Sequence, residues 1–479
     1  MFYYEGLVWS KITNYRLSFR FKQNNIQNDD ASPMIKKSDE INIYYLIALL
    51  NSEVANYFMK FLSPTMSNQA GDIGKMPIIV DKNFEKEIES ITKEVLIEIS
   101  KQDWDTSELS WDFKNNELIK INDLQEFDIE ETTDTYIQNW KNKFLKLLKT
   151  EEYVNQKFIS IYNLENEINP SVGFEDVTIL QNILDRNVLM GLTEKRRNTK
   201  SIDSFDFPND ISLPFLKEEI LRQLLSYAIG CMFGRYSLDN EGMILVNQGE
   251  NLVDYYLKIS KTNKDCSFHP DVDNIIPILD DEWFDDDLVG RFYNFLKVTF
   301  GERNFNKNLA FIEEQIGRSI RKYFIKDFYP DHIKRYSKRP IYWMFSSPKG
   351  SFNVLIYMHR YTPDTVSNIL NKYLKEFIGK LNTRKEHLER LKETGSASDK
   401  SKAYKESDYI QKMLVELHEY ERDVLYPLAT ERIEIDLDDG VLVNYNKFGK
   451  AVKEVNGLND PATKKKVKQF DWIDTSQIR

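Results

Sequence analysis

The strongest constraint on the fold is a pair of long amphipathic stretches in the last quarter of the sequence. Apolar side chains recur every three or four positions in residues 363–393, and the same spacing returns in residues 410–424. The repeated positions are Val366, Leu370, Tyr373, Phe377 and Leu381, then Ile410, Met413, Leu417, Tyr420 and Val424. The first stretch would form a helix about 45 Å long. Because only the polar linker 394–403 separates the two, we predict an antiparallel helical hairpin.

Two β-hairpins are predicted beside this helical pair. Residues 341–345 and 352–359 flank a Pro/Gly turn, and residues 433–437 and 441–445 flank an Asp-Gly turn. The middle of the chain, up to about residue 340, is predicted to be mostly helical. The predicted fold class is therefore α+β and predominantly helical.

The N-terminal stretch, residues 5–22, is basic, aromatic and β-branched, which is typical of strands. Residues 42–62 follow with a single apolar helical face that ends at Ser63-Pro64. A glycine-containing loop then leads to residues 76–80, MPIIV, which are predicted to form a short strand. Together these segments predict a small α+β unit.

Four parts are predicted along the chain. They are the small α+β unit at 1–82, a helical connector at 83–150, a mostly helical central domain at 151–340, and a C-terminal domain at 341–479 that holds the β-hairpins and the helical hairpin. A length of 479 residues suits such a division, because one ordinary core rarely extends so far.

The composition is that of a globular protein from a reducing compartment. Hydrophobic residues make up 41% of the chain, which is ample for folding. Cys231 and Cys266 lie far apart without metal-ligand neighbours, which argues against a disulfide framework or a zinc site. No apolar run approaches the ~20 residues of a membrane span, and no signal peptide is recognisable. We therefore expect a cytoplasmic protein with no membrane partner.

Charge is segregated along the chain. The net charge is −11, which speaks against indiscriminate binding of nucleic acid. However, residues 280–287 hold six acids in eight positions, whereas residues 318–349 hold nine Lys or Arg against two Asp. An acidic average can therefore conceal a local basic surface.

Familiar catalytic motifs are missing from the sequence. There is no phosphate-binding loop, no GxSxG and no metal-ligand spacing, so no catalytic or metal-binding residue is predicted. An adenine methyltransferase needs a Gly-rich turn after a strand and an Asn/Asp-Pro-Pro-aromatic loop that holds the flipped base. The nearest segment, Asn169-Pro170-Ser171-Val172, lacks the second proline and the aromatic residue.

The N-terminal cations have two interpretations. Lys11, Arg16, Arg20 and Lys22 could contact phosphates or a base edge, or they could line a solvated strand face. The amides of the following loop, Asn68 and Gln69, could pair with an adenine edge or could satisfy the backbone of the loop itself.

A second basic segment, residues 318–340, interleaves cations with aromatic residues. This suits a nucleic-acid groove, but base rates favour an amphipathic helix with a basic solvent face. The acidic segment 280–287 could be its internal or intermolecular partner. The run from Lys464 to Lys468, KKKVK, is interpreted as a solvated tail, with nucleic-acid contact as the alternative.

Several segments in order resemble one family. They are EGLVWSKIT (5–13), LIALLNSEVANYFMKFLSPTMSNQAGDIGKMPI (46–78), DWDTSELSWDF (103–113), LLSYAIGCMFGRYSLDNEG (224–242) and VNYNKFG (443–449). They resemble the C-terminal half of PglX, the adenine-specific DNA methyltransferase of BREX phage-defence systems. The resemblance implies that the chain begins inside the target-recognition domain. The domain that holds S-adenosylmethionine and methylates adenine N6 would lie upstream and be absent here, so no cofactor is expected in this chain.

The resemblance also implies which residues meet DNA. By position, the recognition unit would be part of 1–82 and would include Trp9, Ser10 and the loop from Pro64 to Gly74. The full set of predicted DNA contacts is Trp9, Ser10, Lys11, Arg16, Arg20, Lys22, Thr65, Asn68, Gln69, Lys334, Arg335, Lys338 and Arg339. The expected partners are double-stranded DNA, the upstream methyltransferase half and other BREX proteins.

Two other functions remain open. The chain could be a protein-interaction scaffold that uses its acidic cluster and helical hairpin to dock other BREX components. It could also be an independent nuclease, although no Glu-x-Lys triplet of the common metal-dependent kind occurs in the sequence.

Overall fold

A computed structural model of the chain describes residues 4–13, 16–125, 128–198, 211–260, 266–472 and 475–479. These residues divide into two compact units. The first unit comprises Met1–Ser110 with Asp134–Lys217, and the second comprises Trp111–Thr133 with Glu218–Arg479. Asn14 and Tyr15 of the predicted basic stretch, and residues 199–210 and 261–265 of the predicted helical middle, lie outside the described residues. The division into four parts stays a prediction.

The elements are numbered in chain order. The strands are β1 (Gly6–Trp9), β2 (Phe19–Lys22), β3 (Met34–Lys36), β4 (Ile276–Pro277), β5 (Tyr342–Ser346) and β6 (Asn353–Tyr357). The helices of the first half are α1 (Ile43–Leu50), α2 (Glu53–Leu62), α3 (Ala70–Ile73), α4 (Lys82–Ile91), α5 (Glu98–Asp105), α6 (Glu117–Gln125), α7 (Ile129–Ile161), α8 (Arg186–Asn198) and α9 (Lys217–Phe233).

The helices of the second half complete the series. They are α10 (Leu252–Ser260), α11 (Leu288–Phe300), α12 (Phe305–Ile316), α13 (Ile320–Lys326), α14 (Phe328–Arg335), α15 (Thr365–Asn368), α16 (Lys375–Thr394), α17 (Ala397–Tyr420), α18 (Tyr426–Glu431), α19 (Val441–Asn446) and α20 (Pro461–Val467). The predominantly helical α+β fold predicted from sequence is confirmed. Within the described ranges, every helix is too short or too polar to cross a membrane.

The first unit is built on a three-stranded antiparallel sheet in the order β2-β1-β3. Gly6 pairs with Lys22 on one side and Lys36 on the other. Glycine is required at position 6, because an added Cβ would lie 2.2 Å from the carbonyl oxygen of Ile35. The inward side chains Leu7, Trp9 and Phe19 are buried in a core shared with α1 and α2.

The single helix predicted for residues 42–62 is two helices, which corrects that prediction. The Asn51 side chain accepts a hydrogen bond from the Phe19 amide at 2.8 Å and donates one to the Phe19 carbonyl at 3.0 Å. Ser52 then caps α2 by accepting from the amide of Ala55. The helix therefore breaks where a side chain binds the edge of the sheet.

Residues 76–80 form no strand, so that prediction is wrong. Two tyrosine hydroxyls form hydrogen bonds with this backbone. Tyr162 donates to the Pro77 carbonyl at 2.8 Å and accepts from the Ile79 amide at 3.0 Å. Tyr45 donates to the Ile79 carbonyl at 2.8 Å.

The second unit contains the predicted hairpin of β5 and β6, which is confirmed, and β4 adds a third antiparallel strand. The second predicted hairpin, at residues 433–445, is wrong. There Gly440, with φ near +81°, leads into the short helix α19. The Asn444 amide binds the carbonyls of Asp436 and Gly440, so these backbone groups are satisfied without a partner strand.

The helical hairpin is confirmed. Its first arm is continuous through α15, a π-helical turn at Ile369–Leu374, and α16. Arg384 on this arm binds Glu406 on α17 through two nitrogen–oxygen contacts of 2.6 and 3.1 Å. The linker is shorter than predicted, because Ser396 accepts from the Asp399 amide and begins α17 directly after Gly395.

A buried carboxylate joins this hairpin to the β5–β6 turn. Glu416 on α17 accepts from the Ser347 hydroxyl at 2.5 Å, the Lys349 amide at 2.7 Å and the Ser351 hydroxyl at 2.5 Å. Only 4% of Glu416 is exposed, so removing it leaves three donors with reduced access to water.

We predict that Glu416→Ala lowers the free energy of unfolding by about 3 kcal/mol, since hydrogen bonds to a charged group contribute about 1.5–3 kcal/mol each and some are replaced by water. Glu419→Ala, at an exposed position on the same helix, is the matched control and should change it by less than about 0.5 kcal/mol. Urea unfolding measures both. Equal effects of the two substitutions would contradict the role given to Glu416.

Candidate nucleic-acid interface

The first sheet and the loop after α2 form one surface. Beyond β1, the Thr13 amide donates to the Met66 carbonyl at 2.9 Å, and the Asn68 amide donates to the Lys11 carbonyl at 2.6 Å. Ile12 and Ser67 form an isolated antiparallel bridge between these backbone contacts. The structure therefore brings together the two segments that the sequence placed in the recognition unit.

Three predicted contact residues of this unit are buried. The Trp9 indole donates to the Asn68 carbonyl at 3.0 Å, and both residues lie almost wholly inside. Lys22 is 3% exposed, and its amino group donates to the carbonyls of Tyr4 and Gln23. These side chains support the fold of the surface rather than form its outer layer.

Two predicted cations are already paired with acids. The Lys11 amino group lies 2.7 Å from Asp30. Arg16 lies 2.5 Å from Glu53 and 3.9 Å from Asp176, with about a quarter of its side chain exposed. Lys11 sits at an exposed and weakly held bridge, whereas Arg16 is held among partly buried carboxylates.

The remaining predicted residues of the unit are exposed. They are Ser10, Arg20, Thr65 and Gln69. Within the part of the chain that the structure describes, Arg20 has no carboxylate at ion-pair distance. The Gln69 amide donates to the Ser67 hydroxyl at 2.7 Å, which leaves its carbonyl oxygen exposed to a ligand. Arg20 and Gln69 are therefore the side chains best placed for phosphate and base contact.

A cavity of about 150 Å³ opens where α1 meets α2. Arg16, Thr65 and Asn68 line it together with residues that the sequence analysis missed, among them Asn56 and Lys60. Asn56 and Lys60 lie four positions apart on α2, so helical spacing alone could have put them on one face. The cavity extends the polar surface from the loop to the helix.

Arg16 lies among several acidic side chains that the sequence analysis did not bring together. Glu152 is buried and binds Arg196 through both oxygens, at 2.7 and 3.0 Å. Burial raises the pKa of the neighbouring Glu151 carboxyl to about 8, and the attraction of Arg16 offsets this only in part. Glu151 is therefore mostly protonated at neutral pH.

The second predicted set of cations lies in the second unit. Lys334, Lys338 and Arg339 are exposed, and Arg335 is partly buried on α14. The aromatic residues of this segment face inward: Tyr323, Phe324, Phe328 and Tyr329 are buried. The amphipathic-helix interpretation of 318–340 is therefore confirmed for these rings, which leaves them unavailable for stacking on bases.

The acidic segment supplies an internal partner, as one of the two interpretations predicted. Arg321 on α13 binds both oxygens of Asp287, at 3.0 and 3.1 Å, and lies 3.7 Å from Glu282. Arg321 restrains the pKa of Asp287, which burial raises above its ordinary value.

The described residues do not fit a site for S-adenosylmethionine. Both sheets are antiparallel, whereas the Gly-rich turns that hold such cofactors follow strands of a parallel sheet. The Asn169 side chain accepts from the Ser171 amide at 2.8 Å, so it stabilises a turn in its own segment. Among the residues described, no group of three His, Cys, Asp or Glu could hold a metal ion. We derive no methyl-transfer step from these residues.

Comparison with known proteins gives the family context. No family model matches the chain. Adenine-specific methyltransferase BrxX of Escherichia coli O9:H4 (strain HS) is 30% identical over 478 residues, which cover 96% of this chain and 37% of that protein. The chain is similar to part of an adenine-specific methyltransferase. Adenine-specific methyltransferase PglX of Lacticaseibacillus casei (strain Zhang) is 32% identical over 459 residues, 92% of this chain and 34% of that protein.

The similarity supports the resemblance to the BREX methyltransferases over almost the whole chain. The chain spans a little over a third of the length of these curated relatives.

We predict that Glu151→Gln stabilises the first unit at pH 8 by up to about 4 kcal/mol, an effect that vanishes towards pH 4.5. The folded state keeps the Glu151 proton up to about pH 8, whereas the unfolded chain releases it near the ordinary value of 4.5. The wild type therefore loses stability as pH rises through this window, and glutamine removes the loss. Urea unfolding at several pH values measures the difference, with the exposed Glu165→Gln as the control. A constant difference across pH would contradict the assignment.

Proposed function

We propose that this chain is the DNA-recognition and C-terminal portion of a BREX site-specific N6-adenine methyltransferase. It binds duplex DNA and selects the site, while a catalytic domain outside this chain holds S-adenosylmethionine and transfers the methyl group. The observation that carries the proposal is similarity over nearly the whole chain to about a third of two adenine-specific methyltransferases. Methyl transfer by this chain alone would contradict the division.

The first unit offers the surface for site selection. Arg20 projects from β2 without a carboxylate at ion-pair distance in the described residues, while Thr65 and Gln69 are exposed on the loop that β1 anchors. A cation suits phosphates, which fix the register of a protein on a duplex, whereas an amide can pair with an adenine edge. We assign Arg20 to a phosphate of the DNA backbone and Gln69 to the edge of a base.

The neighbouring Arg16 has a different role in this proposal. Its two carboxylate partners, Glu53 and Asp176, compete with any phosphate for the guanidinium group. Arg16 therefore organises the base of the surface, and Arg20 makes the contact. The two arginines provide a matched pair for mutagenesis in one unit.

We predict that Arg20→Gln lowers the slope of log affinity against log salt by about 0.9 on duplex DNA, because one phosphate contact is lost. Its free energy of unfolding should change by less than about 0.5 kcal/mol. Arg16→Gln should instead destabilise the first unit by roughly 1–3 kcal/mol, because it leaves Glu53 partly buried and unpaired. Fluorescence anisotropy across a salt series and urea unfolding measure the two effects.

Two results would contradict this assignment. Absence of duplex binding by the wild-type chain at low salt would place the DNA surface elsewhere. An unchanged slope for Arg20→Gln, with binding intact, would remove Arg20 from the contact set while leaving the wider proposal in place.

A second candidate function is docking of other BREX proteins. Asp280, Asp281, Glu282 and Asp285 are exposed together in one short segment of the second unit, which offers an acidic surface to a basic partner. A pull-down with the purified proteins of the system that persists after nuclease treatment would favour this function.

A further inference from the structure

The turn after α14 holds an unusual backbone conformation. Ser337 and Lys338, at φ near +50° and +63°, both lie in the left-handed region, which side chains other than glycine rarely adopt. Three backbone hydrogen bonds stabilise the turn, including one of 2.8 Å from the Lys338 amide to the Ile333 carbonyl. The turn leaves the side chains of Lys338 and Arg339 exposed.

A second segment of the same unit packs against this turn. Gly457 has φ near +79°, and a Cβ added there would lie 3.0 Å from the Lys338 amino group. The chain then enters α20, whose first turn Asp460 caps by accepting from the Ala462 and Thr463 amides. The turn and α20 are therefore neighbours, although more than a hundred positions separate them in sequence.

The lysine run near the C-terminus is a docked helix, which corrects its interpretation as a solvated tail. Val467 is fully buried and packs with Val443 and Ile478 in a small core. Because this one side chain faces inward, Lys465, Lys466 and Lys468 face outward and are exposed. Packing gives the lysines a fixed place on the surface.

These two segments form what we call the C-terminal basic surface. Its cations are Lys334, Lys338, Arg339, Lys450, Lys453, Lys464, Lys465, Lys466 and Lys468. Residues 333–340 contain four cations and no acid, and residues 447–469 contain seven cations and two acids. One of the acids, Asp460, is engaged in the helix cap. Among the described residues, none of the nine cations has a carboxylate within ion-pair distance, unlike Arg321 with Asp287 in the same unit.

The cations of this surface also repel one another. Partial burial lowers the pKa of Lys464. The charges of Lys468 and Lys450 lower it as well, and those of Glu454 and Asp460 act in the opposite direction. A polyanion bound to this surface would relieve the repulsion, because each of its negative charges attracts the nearby lysines.

We propose that the C-terminal basic surface binds the phosphate backbone of duplex DNA independently of sequence, as a second contact besides the first unit. This inference rests on the proposed function. Lysine acts as a point charge for phosphate and carries little base information. The buried rings of α13 and α14 are unavailable as a stacking platform, which favours a duplex over single-stranded nucleic acid.

The test compares two triple substitutions in the full chain. Lys465→Gln with Lys466→Gln and Lys468→Gln, called the α20 variant, removes three exposed charges from α20 and its C-terminal cap. The control, Lys402→Gln with Lys405→Gln and Lys412→Gln, removes three exposed charges from α17 in the same unit. Duplex affinity is measured across a salt series for each variant, on two duplexes of unrelated sequence.

The α20 variant should lose about 0.9 of the salt slope for each broken contact, or roughly 2–3 in all, and equally on both duplexes. The α17 variant should keep the wild-type slope. Lys338→Asn with Arg339→Gln tests the turn independently, because asparagine tolerates the left-handed conformation, and it should lower the slope by about 2.

The outcomes separate this inference from the proposed function. Wild-type binding with equal slopes for the α20 and α17 variants overturns the C-terminal basic surface alone. Absence of wild-type binding overturns the proposed function itself. A loss confined to one of the two duplexes overturns the assignment to the duplex backbone.

Discussion

The hydrogen bond from the Trp9 indole to the carbonyl of Asn68 connects the first sheet to the loop after α2. Both groups are buried, so breaking the bond would leave a donor and an acceptor without water. Next to this bond, the backbone of Lys11 and Thr13 also forms hydrogen bonds with the loop. Because the loop is fixed to the sheet that carries Arg20, Thr65 and Gln69 hold defined places in the same unit.

The cations of this protein serve two distinct purposes. Some, such as Arg16, Arg196 and Arg321, bind carboxylates of their own unit and stabilise its fold. Others, such as Arg20 and Lys465, are exposed without an acid at ion-pair distance in the described residues. A net charge of −11 reflects the whole chain and conceals this local difference. In this account, only the second group takes part in binding DNA.

The sequence predicted those elements whose cause is local. The helical hairpin follows from a repeat of three and four residues, and β5 and β6 follow from apolar runs around a turn. Two of the errors occur where a side chain binds backbone that is distant in sequence: Asn51 binds Phe19 where the predicted helix breaks, and Tyr162 binds the backbone of Pro77 and Ile79. Likewise, the sequence identified the basic residues but not which of them are paired. Arg16 meets Glu53 only in the folded chain, and the fold also brings Lys450 close to Lys464.

The central claim, that this chain selects the DNA site, can be tested by exchanging recognition regions. A chimera would carry this chain in place of the matching third of PglX from Lacticaseibacillus casei, and the methylated adenines of its host DNA would be mapped by sequencing. If this chain selects the site, the chimera will methylate a sequence different from the one that the parent enzyme methylates. An active chimera that still methylates the parent sequence would contradict the claim.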